Sequence, residues 1–472
     1  MQRGWVCRDG KLRLSTVTKL ARRGISTSIP RSEQPQPAQS QSSSSPATSL
    51  KRILADSIKA TGPLPVARYM SACTYHPTEG YYSRTDKDPI SKQGDFITSP
   101  EISQVFGELI GVWFLHQWHA LMHDLSHNCT NPPKKVRLVE LGPGKGTLMA
   151  DVLRTWRSFP SAWENIESVE LVETSPALRG VQEATLRDFG KAVNFHDRVQ
   201  HIDKAIVLTK NQDENTFTFV LAHEFFDALP IHLFQKTDAG FREVLVDLTK
   251  GRIRAEGDGE GGDASAQFTS DLNKWADDDI GFRYLISKQP SAMSALIPMI
   301  APHIFTGEGR DEEGQRVELS VEGYHIGNSI GQLLHKSSPT SAGGCALVVD
   351  YGKDGWTGDT LRGFRRHEQV DVLSAPGECD ITSDVDFGVL RESFAHNDTA
   401  ITGSEVMTQR DFLIKMGVAA RLDTLLQNAQ TKESKLSIAN SAKRLLDTRG
   451  MGSQYKFMAA FDAHHQNRYP FE

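Results

Sequence analysis

A glycine-rich turn between a strand and a helix is the feature that most constrains this 472-residue chain. Apolar residues from Val136 to Leu141 predict a buried strand, and Thr147 to Trp156 predict a helix. Gly142, Gly144 and Gly146 stand between them. Glycine lets the backbone turn sharply and approach a ligand closely, and a helix N-terminus offers free N–H groups to an anion. The pattern therefore predicts an α/β fold with a ligand at the carboxyl end of this strand.

Strands and helices alternate after this turn, which predicts a parallel, Rossmann-like sheet with helices on both faces. The further strands are predicted at Val169 to Glu173, Val193 to His196, Phe217 to Ala222, Phe241 to Leu248, Cys345 to Asp350 and Tyr455 to Phe461. Helical elements are predicted over residues 50–130, with Val105 to Leu121 as a buried helix. Acidic, glycine-rich loops interrupt the alternation, and we interpret about 249–335 as an inserted lobe beside the sheet.

The N-terminus has the composition of a targeting segment. Residues 1–25 carry seven basic residues and one acid, and they lack the long apolar centre of a secretory signal. This pattern is typical of a mitochondrial presequence. Residues 26–49 are rich in Pro, Ser and Gln, which predicts a disordered linker. We therefore expect one folded domain over residues 50–472.

Charge and composition exclude several classes of protein. No run of about 18 apolar residues occurs, so no membrane-spanning helix is expected. The net charge of -6 argues against a protein that holds nucleic acid. The chain has no CxxC pair, and the segment Asp380 to Asp386 lacks the central Gly and terminal Glu of a calcium loop. No metal site is predicted.

The spacing of the glycines selects the cofactor. A dinucleotide fingerprint needs a third glycine where this chain has Thr147, and no phosphate P-loop sequence is present. Glu140, just before the glycines, would also repel a pyrophosphate. S-adenosylmethionine has no phosphate, carries cationic ammonium and sulfonium groups, and has a ribose diol that suits a carboxylate. We expect Glu140 and the glycine loop to bind it, with Glu173, at the end of the next strand, at the ribose.

A third polar group follows the strand Phe217 to Ala222. His223, Glu224 and Asp227 lie there within five positions, in the stretch HEFFDALP. A short helical turn would place His223 or Glu224 on the same side as Asp227, facing the ligand crevice. The alternative is a capped turn in which Asp227 holds backbone N–H groups. The residues themselves leave both interpretations open.

Together these stretches resemble the MidA-like family of S-adenosylmethionine-dependent protein arginine methyltransferases, the mitochondrial complex I assembly methyltransferases. Four blocks carry the resemblance: GDFITSPEIS from Gly94, VELGPGKGTL, HEFFDALP, and Asp350-Tyr351-Gly352 with the downstream GDTLRGFRRH and PGECDITSDVDF. It covers roughly residue 50 to the C-terminus. The resemblance implies a class I methyltransferase core with added elements. It also implies symmetric dimethylation of an arginine on a core quinone-module subunit of respiratory complex I, in the mitochondrial matrix.

The resemblance also assigns residues. Thr98, Pro100 and Glu101 would lie over the cofactor or the substrate, and Glu224 and Asp227 would face the substrate. Many relatives have Asn where this chain has His223, and a charged imidazole there would oppose an arginine substrate. The oligomeric state stays open, with a homodimer as one alternative.

Arginine is a poor nucleophile because its guanidinium stays protonated. Carboxylates can hold it in a bidentate fork and accept the departing proton. We therefore expect Glu224 to orient the substrate, with Asp227 or Glu101 as its partner. The alternatives are a non-catalytic assembly factor, a methyltransferase with a small-molecule or RNA acceptor, and a nicotinamide-dependent oxidoreductase.

Overall fold

A computed structural model describes most of the chain. The described residues are 49–83, 97–128, 135–202, 216–249, 280–305, 312–335, 343–355, 358–395, 400–462, 465 and 467–472. The predicted presequence and the predicted linker up to residue 48 lie outside this part of the chain. So do residues 250–279 and 306–311 of the predicted insertion. Each remains a prediction.

The elements follow the predicted order closely. The strands are β1 (Leu64–Pro65), β2 (Lys135–Leu141), β3 (Ile166–Val172), β4 (Ala192–His196), β5 (Thr216–His223), β6 (His232–Thr237), β7 (Gly240–Leu248), β8 (Phe282–Ile286), β9 (Arg316–Leu319), β10 (Gly344–Lys353), β11 (Arg362–Arg365), β12 (Glu368–Val370), β13 (Asp380–Thr382), β14 (Val385–Asp386), β15 (Ile401–Gly403), β16 (Met407–Thr408) and β17 (Tyr455–Asp462). The α-helices are α1 (Leu50–Thr61), α2 (Val66–Tyr75), α3 (Ser99–Ile102), α4 (Gln104–Asn128), α5 (Thr147–Arg157), α6 (Pro160–Trp163), α7 (Pro176–Leu186), α8 (Ile297–Ile300), α9 (Val321–Leu334), α10 (Phe387–Ala395), α11 (Gln409–Lys415), α12 (Val418–Asn428), α13 (Lys432–Leu446) and α14 (Met451–Gln454).

The central sheet has the spatial order β15-β17-β10-β5-β2-β3-β4, with β14 paired to the end of β10 and β16 paired to β17. Strands β10, β5, β2, β3 and β4 run parallel, whereas β17 pairs antiparallel with β10. The chain moves from β2 through β3 to β4, then crosses to β5 on the other side of β2. This reversal creates a crevice outside the carboxyl ends of β2 and β5, where ligands bind in doubly wound sheets.

Alternate residues of β2 pack into two different cores, as its pleat requires. Leu138 joins the core that contains Trp113 of α4 and Trp156 of α5. Val139 joins the core on the other face, which contains Ile330 of α9. Helices therefore cover both faces of the sheet, and the prediction of a buried helix over Val105 to Leu121 is confirmed.

A second, antiparallel sheet lies beside the central one. Its order is β1-β7-β6-β9, and β8 pairs with β7. The predicted strand Phe241 to Leu248 is present as β7, but it belongs to this sheet and not to the parallel one. The reason is local: β6 and β7 form a tight hairpin, so no crossover helix returns the chain to the central sheet.

The second sheet packs against the N-terminal helices in a core of its own. Leu54 of α1 and Tyr69 of α2 are buried there against Val244 and Val246 of β7. The ring of Tyr69 makes an edge contact with Phe282 of β8 at 5.7 Å between centroids. The N-terminal helices and part of the predicted insertion therefore form one packed layer. Among the described helices, none is long and apolar enough to cross a membrane.

Candidate active site

One large cavity opens at the carboxyl ends of β2 and β5. Its volume is about 1380 Å³, whereas small-molecule sites usually measure about 300–1,000 Å³. The space therefore exceeds what one small ligand needs. Glycine-loop residues, ends of parallel strands, and residues of α2, α3 and α9 all line it. All the predicted site residues line this cavity except Gly146 and Asp227.

The glycine loop has the conformation that the sequence predicts. Gly142, Gly144 and Gly146 adopt φ angles of 59°, 53° and 77°, in the left-handed region that strongly favours glycine. At Gly142 a Cβ atom would also lie 2.9 Å from the ring of Phe225. Gly146 itself stands at the N-terminal cap of α5 and packs against Gln182. The loop thus turns the chain from β2 into α5 while its backbone borders the cavity.

Glu140 occupies the end of β2, directly before the loop. The residue is only 2% exposed, and burial raises the pKa of its carboxyl group to about 8. Glu140 lines the cavity, and its buried Oε2 atom has no hydrogen-bond partner among the described residues. A buried carboxylate without a partner is unfavourable unless a cation joins it. This atom therefore fits a ligand with an ammonium or sulfonium group.

Glu173 lies one strand further along, immediately after β3. Its Oε1 accepts a hydrogen bond from the backbone N–H of Ser175 at 2.7 Å, and its Oε2 accepts one from Gln182 at 3.1 Å. Gln182 also donates to the backbone oxygen of Gly144 at 2.7 Å, which ties the glycine loop to this carboxylate. Each carboxylate oxygen has lone-pair capacity left for a diol. The position and chemistry of Glu173 fit the ribose of S-adenosylmethionine.

The short helix α3 closes another part of the cavity. Thr98, Pro100 and Glu101 all line it, as the resemblance implies. The side chain of Glu101 is held in place, because Oγ1 of Thr147 donates to its Oε1 at 2.7 Å. Thr147 is the first residue of α5. Glu101 is thus attached to the residue that follows the glycine loop, and no hydrogen bond joins Glu101 to Glu224 among the described residues.

Glu224 directly follows β5 in an uncommon conformation. The helical turn that the sequence suggested is not formed; Glu224 adopts φ 48°, in the left-handed region. Its backbone N–H still continues the sheet by donating to Val349 O at 2.9 Å. The strand therefore ends abruptly, and the Glu224 side chain lines the cavity. Non-glycine residues keep such conformations where the surrounding structure fixes them.

Asp350, at the neighbouring position of β10, fixes this turn. Its Oδ2 accepts hydrogen bonds from three successive backbone N–H groups, those of Phe225, Phe226 and Asp227, at 3.2, 3.0 and 3.3 Å. Its Oδ1 accepts a further one from Tyr351 N–H at 3.0 Å. The capped-turn interpretation was therefore right about the turn, but the capping carboxylate belongs to Asp350 and not to Asp227.

Asp227 points away from the cavity. Its Oδ2 accepts hydrogen bonds from the hydroxyl groups of Tyr351 and Thr382, the latter at 2.9 Å. Tyr351 in turn carries the guanidinium of Arg362 over its ring at 4.9 Å. Asp227 therefore organises a buried network behind Glu224. The structure places it within electrostatic range of Glu224, without bringing the two carboxylates to one surface.

Burial controls the charge of His223 and Glu224. It lowers the pKa of His223 to about 3, so the imidazole is neutral at physiological pH and does not oppose a cationic substrate. Burial, with the nearby charge of Asp227, raises the pKa of Glu224 to about 8. The two side chains approach to 3.4 Å between Nε2 and Oε1, but neither atom makes a hydrogen bond within the described part of the chain.

Comparison with known proteins identifies the cofactor chemistry. A model of S-adenosyl-L-methionine-dependent methyltransferases matches residues 109–404, more than half of the chain. The chain belongs to this methyltransferase family. The match spans the glycine loop, Glu173, Glu224 and Asp350. S-adenosylmethionine is thus the cofactor of this methyltransferase, in agreement with the fit of Glu140 and Glu173.

Relatives with assigned names share most of the chain. The rat protein arginine methyltransferase NDUFAF7, mitochondrial, is 35% identical over 427 residues, which cover 87% of this chain and 84% of the rat protein. The human protein of the same name is also 35% identical, over 88% of this chain and 83% of its own. The Drosophila melanogaster homolog is 34% identical over 94% of this chain and 93% of its own.

A solved structure confirms the predicted fold class. A superfamily member from Burkholderia thailandensis, bound to S-adenosyl-homocysteine, aligns with a TM-score of 0.61 and 21% identity. The alignment covers 88% of this chain and 92% of the bacterial one. The central sheet of this methyltransferase is therefore the α/β sheet that the alternating strands and helices predicted.

Sequence reasoning missed several residues of the site. Gln182 and Asp197 were not singled out, although Asp197 lines the cavity just after β4. The signal was available, since the carboxyl ends of successive parallel strands meet at one edge. Tyr75 and Tyr82 also line the cavity. No local pattern indicates these two, because the second sheet brings them to the site.

Proposed function

We propose that this chain is a mitochondrial, S-adenosylmethionine-dependent protein arginine methyltransferase that forms symmetric dimethylarginine. The observation that carries the proposal is Glu224, a carboxylate held in a left-handed turn at the cofactor cavity with an unpartnered Oε1. A guanidinium is the protein side chain whose donors best match a carboxylate. The names of the rat, human and Drosophila relatives support the same acceptor class.

Cofactor binding rests on three parts of the chain. Glu140 would face the cationic end of S-adenosylmethionine, Glu173 its ribose, and the glycine loop with the N-terminus of α5 its carboxylate. When bound, this cofactor supplies an electrophilic methyl group. The protein contributes a preorganised surface that excludes water and keeps the acceptor aligned, which can account for much of the rate.

Glu224 has two tasks in this proposal. It holds the substrate guanidinium so that one nitrogen faces the methyl group. It also accepts the proton that this nitrogen loses as the N–C bond forms and the C–S bond breaks. Burial raises the pKa of Glu224 to about 8 in the free protein, and a bound guanidinium would favour the charged form, which can then accept a proton close to neutral pH. Glu101 and Asp227 are positioning residues in this proposal. Glu101 holds the end of the glycine loop, and Asp227 supports the turn that presents Glu224.

The test is methyl transfer by the full chain and by Glu224→Gln. With labelled S-adenosylmethionine and a purified quinone-module subunit of complex I, we expect the substitution to lower the transfer rate by about 10²–10⁴-fold. Cofactor affinity, measured by calorimetry, should stay within about twofold because Glu140 and Glu173 are unchanged. Mass spectrometry of the product would identify the arginine and distinguish symmetric from asymmetric dimethylation.

A matched control is Glu433→Gln, which removes an exposed carboxylate in the first turn of α13, outside the cavity. It should leave both transfer and cofactor binding unchanged. Unaltered transfer by Glu224→Gln would contradict the role of Glu224. Lost cofactor binding together with lost folding would contradict its assignment to the acceptor side.

The proposed acceptor is a core quinone-module subunit of complex I, met in the mitochondrial matrix. The presequence-like composition of residues 1–25 and the mitochondrial names of the relatives support this location. Homodimer formation stays a prediction, which size-exclusion chromatography with light scattering would test. A non-catalytic assembly factor is the second candidate function. It predicts normal cofactor affinity with no transfer by the unaltered chain.

A further inference from the structure

Two tyrosines line the cavity where the N-terminal helices meet the turn after β5. Tyr75 ends α2, and Tyr82 lies in the turn that follows. Their rings are stacked, with 6.2 Å between centroids and 29° between planes. Tyr75 is 39% exposed, so part of the residue is accessible to a ligand. The methyltransferase sheet does not supply either ring.

Both rings are anchored at their hydroxyl groups. Tyr75 donates a hydrogen bond to the backbone oxygen of Ala228 at 3.2 Å, within the turn that Glu224 opens. Tyr82 donates to Oδ1 of Asp380 at 2.9 Å, and its backbone N–H donates to Thr74 O at 3.2 Å. The two rings are therefore held in a fixed orientation before any ligand arrives. Their position is tied directly to the Glu224 turn.

The surroundings of the two rings are acidic. Glu322, Asp227 and Asp380 all lie within electrostatic range of the Tyr75 hydroxyl. Glu322 belongs to α9 and lines the same cavity. Arg68, on the exposed side of α2, also lines the cavity, as do Lys145 and Arg198. Aromatic faces in a field of carboxylates attract a cation, and most favourably a flat one that can stack.

We propose that Tyr75 and Tyr82 form the subsite that receives the acceptor guanidinium and guides it to Glu224. This inference rests on the proposed arginine methyltransferase function and adds the residues that recognise its substrate. A lysine ammonium fits less well, because it is a strongly hydrated point charge without a face to stack. A nucleic-acid base could also stack on tyrosine, but the neighbouring carboxylates would repel its phosphates.

The experiment compares two small probes that differ in charge and little in shape. N-acetyl-arginine-methylamide and its neutral citrulline analogue are titrated into the full chain saturated with S-adenosylhomocysteine, with binding followed by saturation-transfer NMR. We expect the arginine probe to bind about fivefold to tenfold more tightly than the citrulline probe. Tyr75→Leu and Tyr82→Leu should each weaken binding of the arginine probe more than binding of the citrulline probe, which narrows this difference, and the selectivity that remains comes from Glu224. Tyr75→Phe, which keeps the ring, should weaken binding less than Tyr75→Leu.

The matched control is Tyr284→Leu, on β8 of the second sheet. Tyr284 is 36% exposed, close to the value for Tyr75, but it lies outside the cavity. This substitution should change neither probe's affinity. Thermal melting shows that each variant is folded, and having two tyrosine positions keeps the test valid if one variant is not.

The outcomes separate the subsite from the proposed function. Selective binding of the arginine probe, reduced in the leucine variants and kept in Tyr284→Leu, supports the subsite. Equal binding by wild type and both leucine variants overturns it. Failure of the arginine probe to bind the wild type also overturns it. Methyl transfer by wild type and Glu224→Gln is measured independently, so transfer with unselective binding leaves the function standing and removes only the subsite.

Discussion

The two sides of the cavity are built in different ways. On the cofactor side, Glu140, Gly142, Glu173 and Gln182 come from one continuous stretch of about forty residues. On the side proposed to receive the acceptor, Tyr75, Glu224 and Glu322 come from segments separated by about a hundred residues or more. The cofactor side follows from the geometry of parallel strands. The acceptor side exists only because a second sheet and its helices pack beside the first.

The two sides also differ in how their groups are held. Glu173 has both carboxylate oxygens engaged by the chain itself, and the glycines fix the loop through local backbone geometry. Glu224 depends on a carboxylate of another strand, Asp350, for the turn that presents it. A local motif can therefore survive remote changes, whereas the acceptor side should respond to substitutions that never touch a ligand.

Among substitutions outside the cavity wall, the largest effect is expected when Asp350 is replaced by Asn. One oxygen of the Asp350 carboxylate accepts hydrogen bonds from three backbone N–H groups, and the other oxygen accepts one from Tyr351 N–H. Either orientation of an amide would place its NH₂ group against a donor. We expect the methyl-transfer rate to fall at least about 100-fold, because Glu224 loses its position. Cofactor affinity should change little, and the free energy of unfolding should fall by about 1–3 kcal/mol.

Asp354→Asn is the control for this substitution. Asp354 lies just beyond β10 and forms a bidentate ion pair with Arg391 at 2.7 and 2.8 Å, away from the Glu224 turn. Its loss should cost at most about 1 kcal/mol and leave transfer intact. Equal effects of the two substitutions on transfer would show that Asp350 acts only through general stability.

A smaller effect, confined to the cofactor side, is expected from Gly142→Ala. A side chain there must adopt φ 59° and would approach Phe225 to 2.9 Å. We expect the affinity for S-adenosylmethionine to fall about tenfold or more, since the left-handed conformation costs about 1–2 kcal/mol and the loop must also shift. Calorimetric titration measures this change.

Gly190→Ala separates strain from contact. Gly190 has a similar φ of 64°, but an added Cβ would meet no atom within 4 Å, and the residue does not line the cavity. Replacing Gly190 by Ala should lower the free energy of unfolding by about as much as the backbone strain at Gly142 does, and it should leave cofactor affinity unchanged. If both variants lost affinity equally, local crowding at Gly142 would not explain the effect.

The smallest effect concerns pH and Glu140. Its carboxyl group has a pKa of about 8 in the free protein, so it is largely protonated near neutral pH. A cationic ligand favours the charged form, and binding must then release a proton. We expect cofactor affinity to rise several-fold between pH 6.5 and 8.5 and to level off above that. Glu140→Gln should bind more weakly and show a flatter pH dependence.

The same group affects the stability of the free protein in the opposite direction. A carboxyl group with a raised folded-state pKa retains its proton in the folded state and loses it in the unfolded state. The free energy of unfolding should therefore fall as pH rises from about 4.5 to about 8, by at most about 1.4 kcal/mol per pH unit for each such group. When the free energy of unfolding is measured by urea unfolding at several pH values, it should depend less steeply on pH in Glu140→Gln than in the unaltered chain. An unchanged slope would contradict the raised pKa.

Several parts of the site could be predicted because their signals are local. The glycines at 142, 144 and 146 require a left-handed backbone, and all three have it. Ser175 caps α7 and accepts a hydrogen bond from Leu178 N–H, with Pro176 at the first helical position, where both residue types are favoured. Such features depend on a few neighbouring residues, so the printed sequence contains nearly all of their causes.

Other parts could not be predicted because their causes are remote. The spacing of His223, Glu224 and Asp227 allowed a helical turn, but Asp350 stabilises a different one through three N–H groups. Asp350 lies more than a hundred residues away, and only the pairing of β10 with β5 brings it there. The family resemblance implied that Asp227 faces the substrate, and a helical turn would have put it on the same side as His223 or Glu224. The observed turn directs its carboxylate toward Tyr351 and Thr382 instead.

By itself, the sequence determined the cofactor, the order of the strands and helices, and the acidic ends of β2 and β3. These follow from backbone geometry and from the period of apolar residues, which act over short distances. Only the tertiary structure decided which acids face the cavity and which face the interior, and that Tyr75 and Tyr82 belong to the site. The physical reason is that side-chain direction at a strand end depends on the hydrogen-bond partners that the neighbouring strand provides.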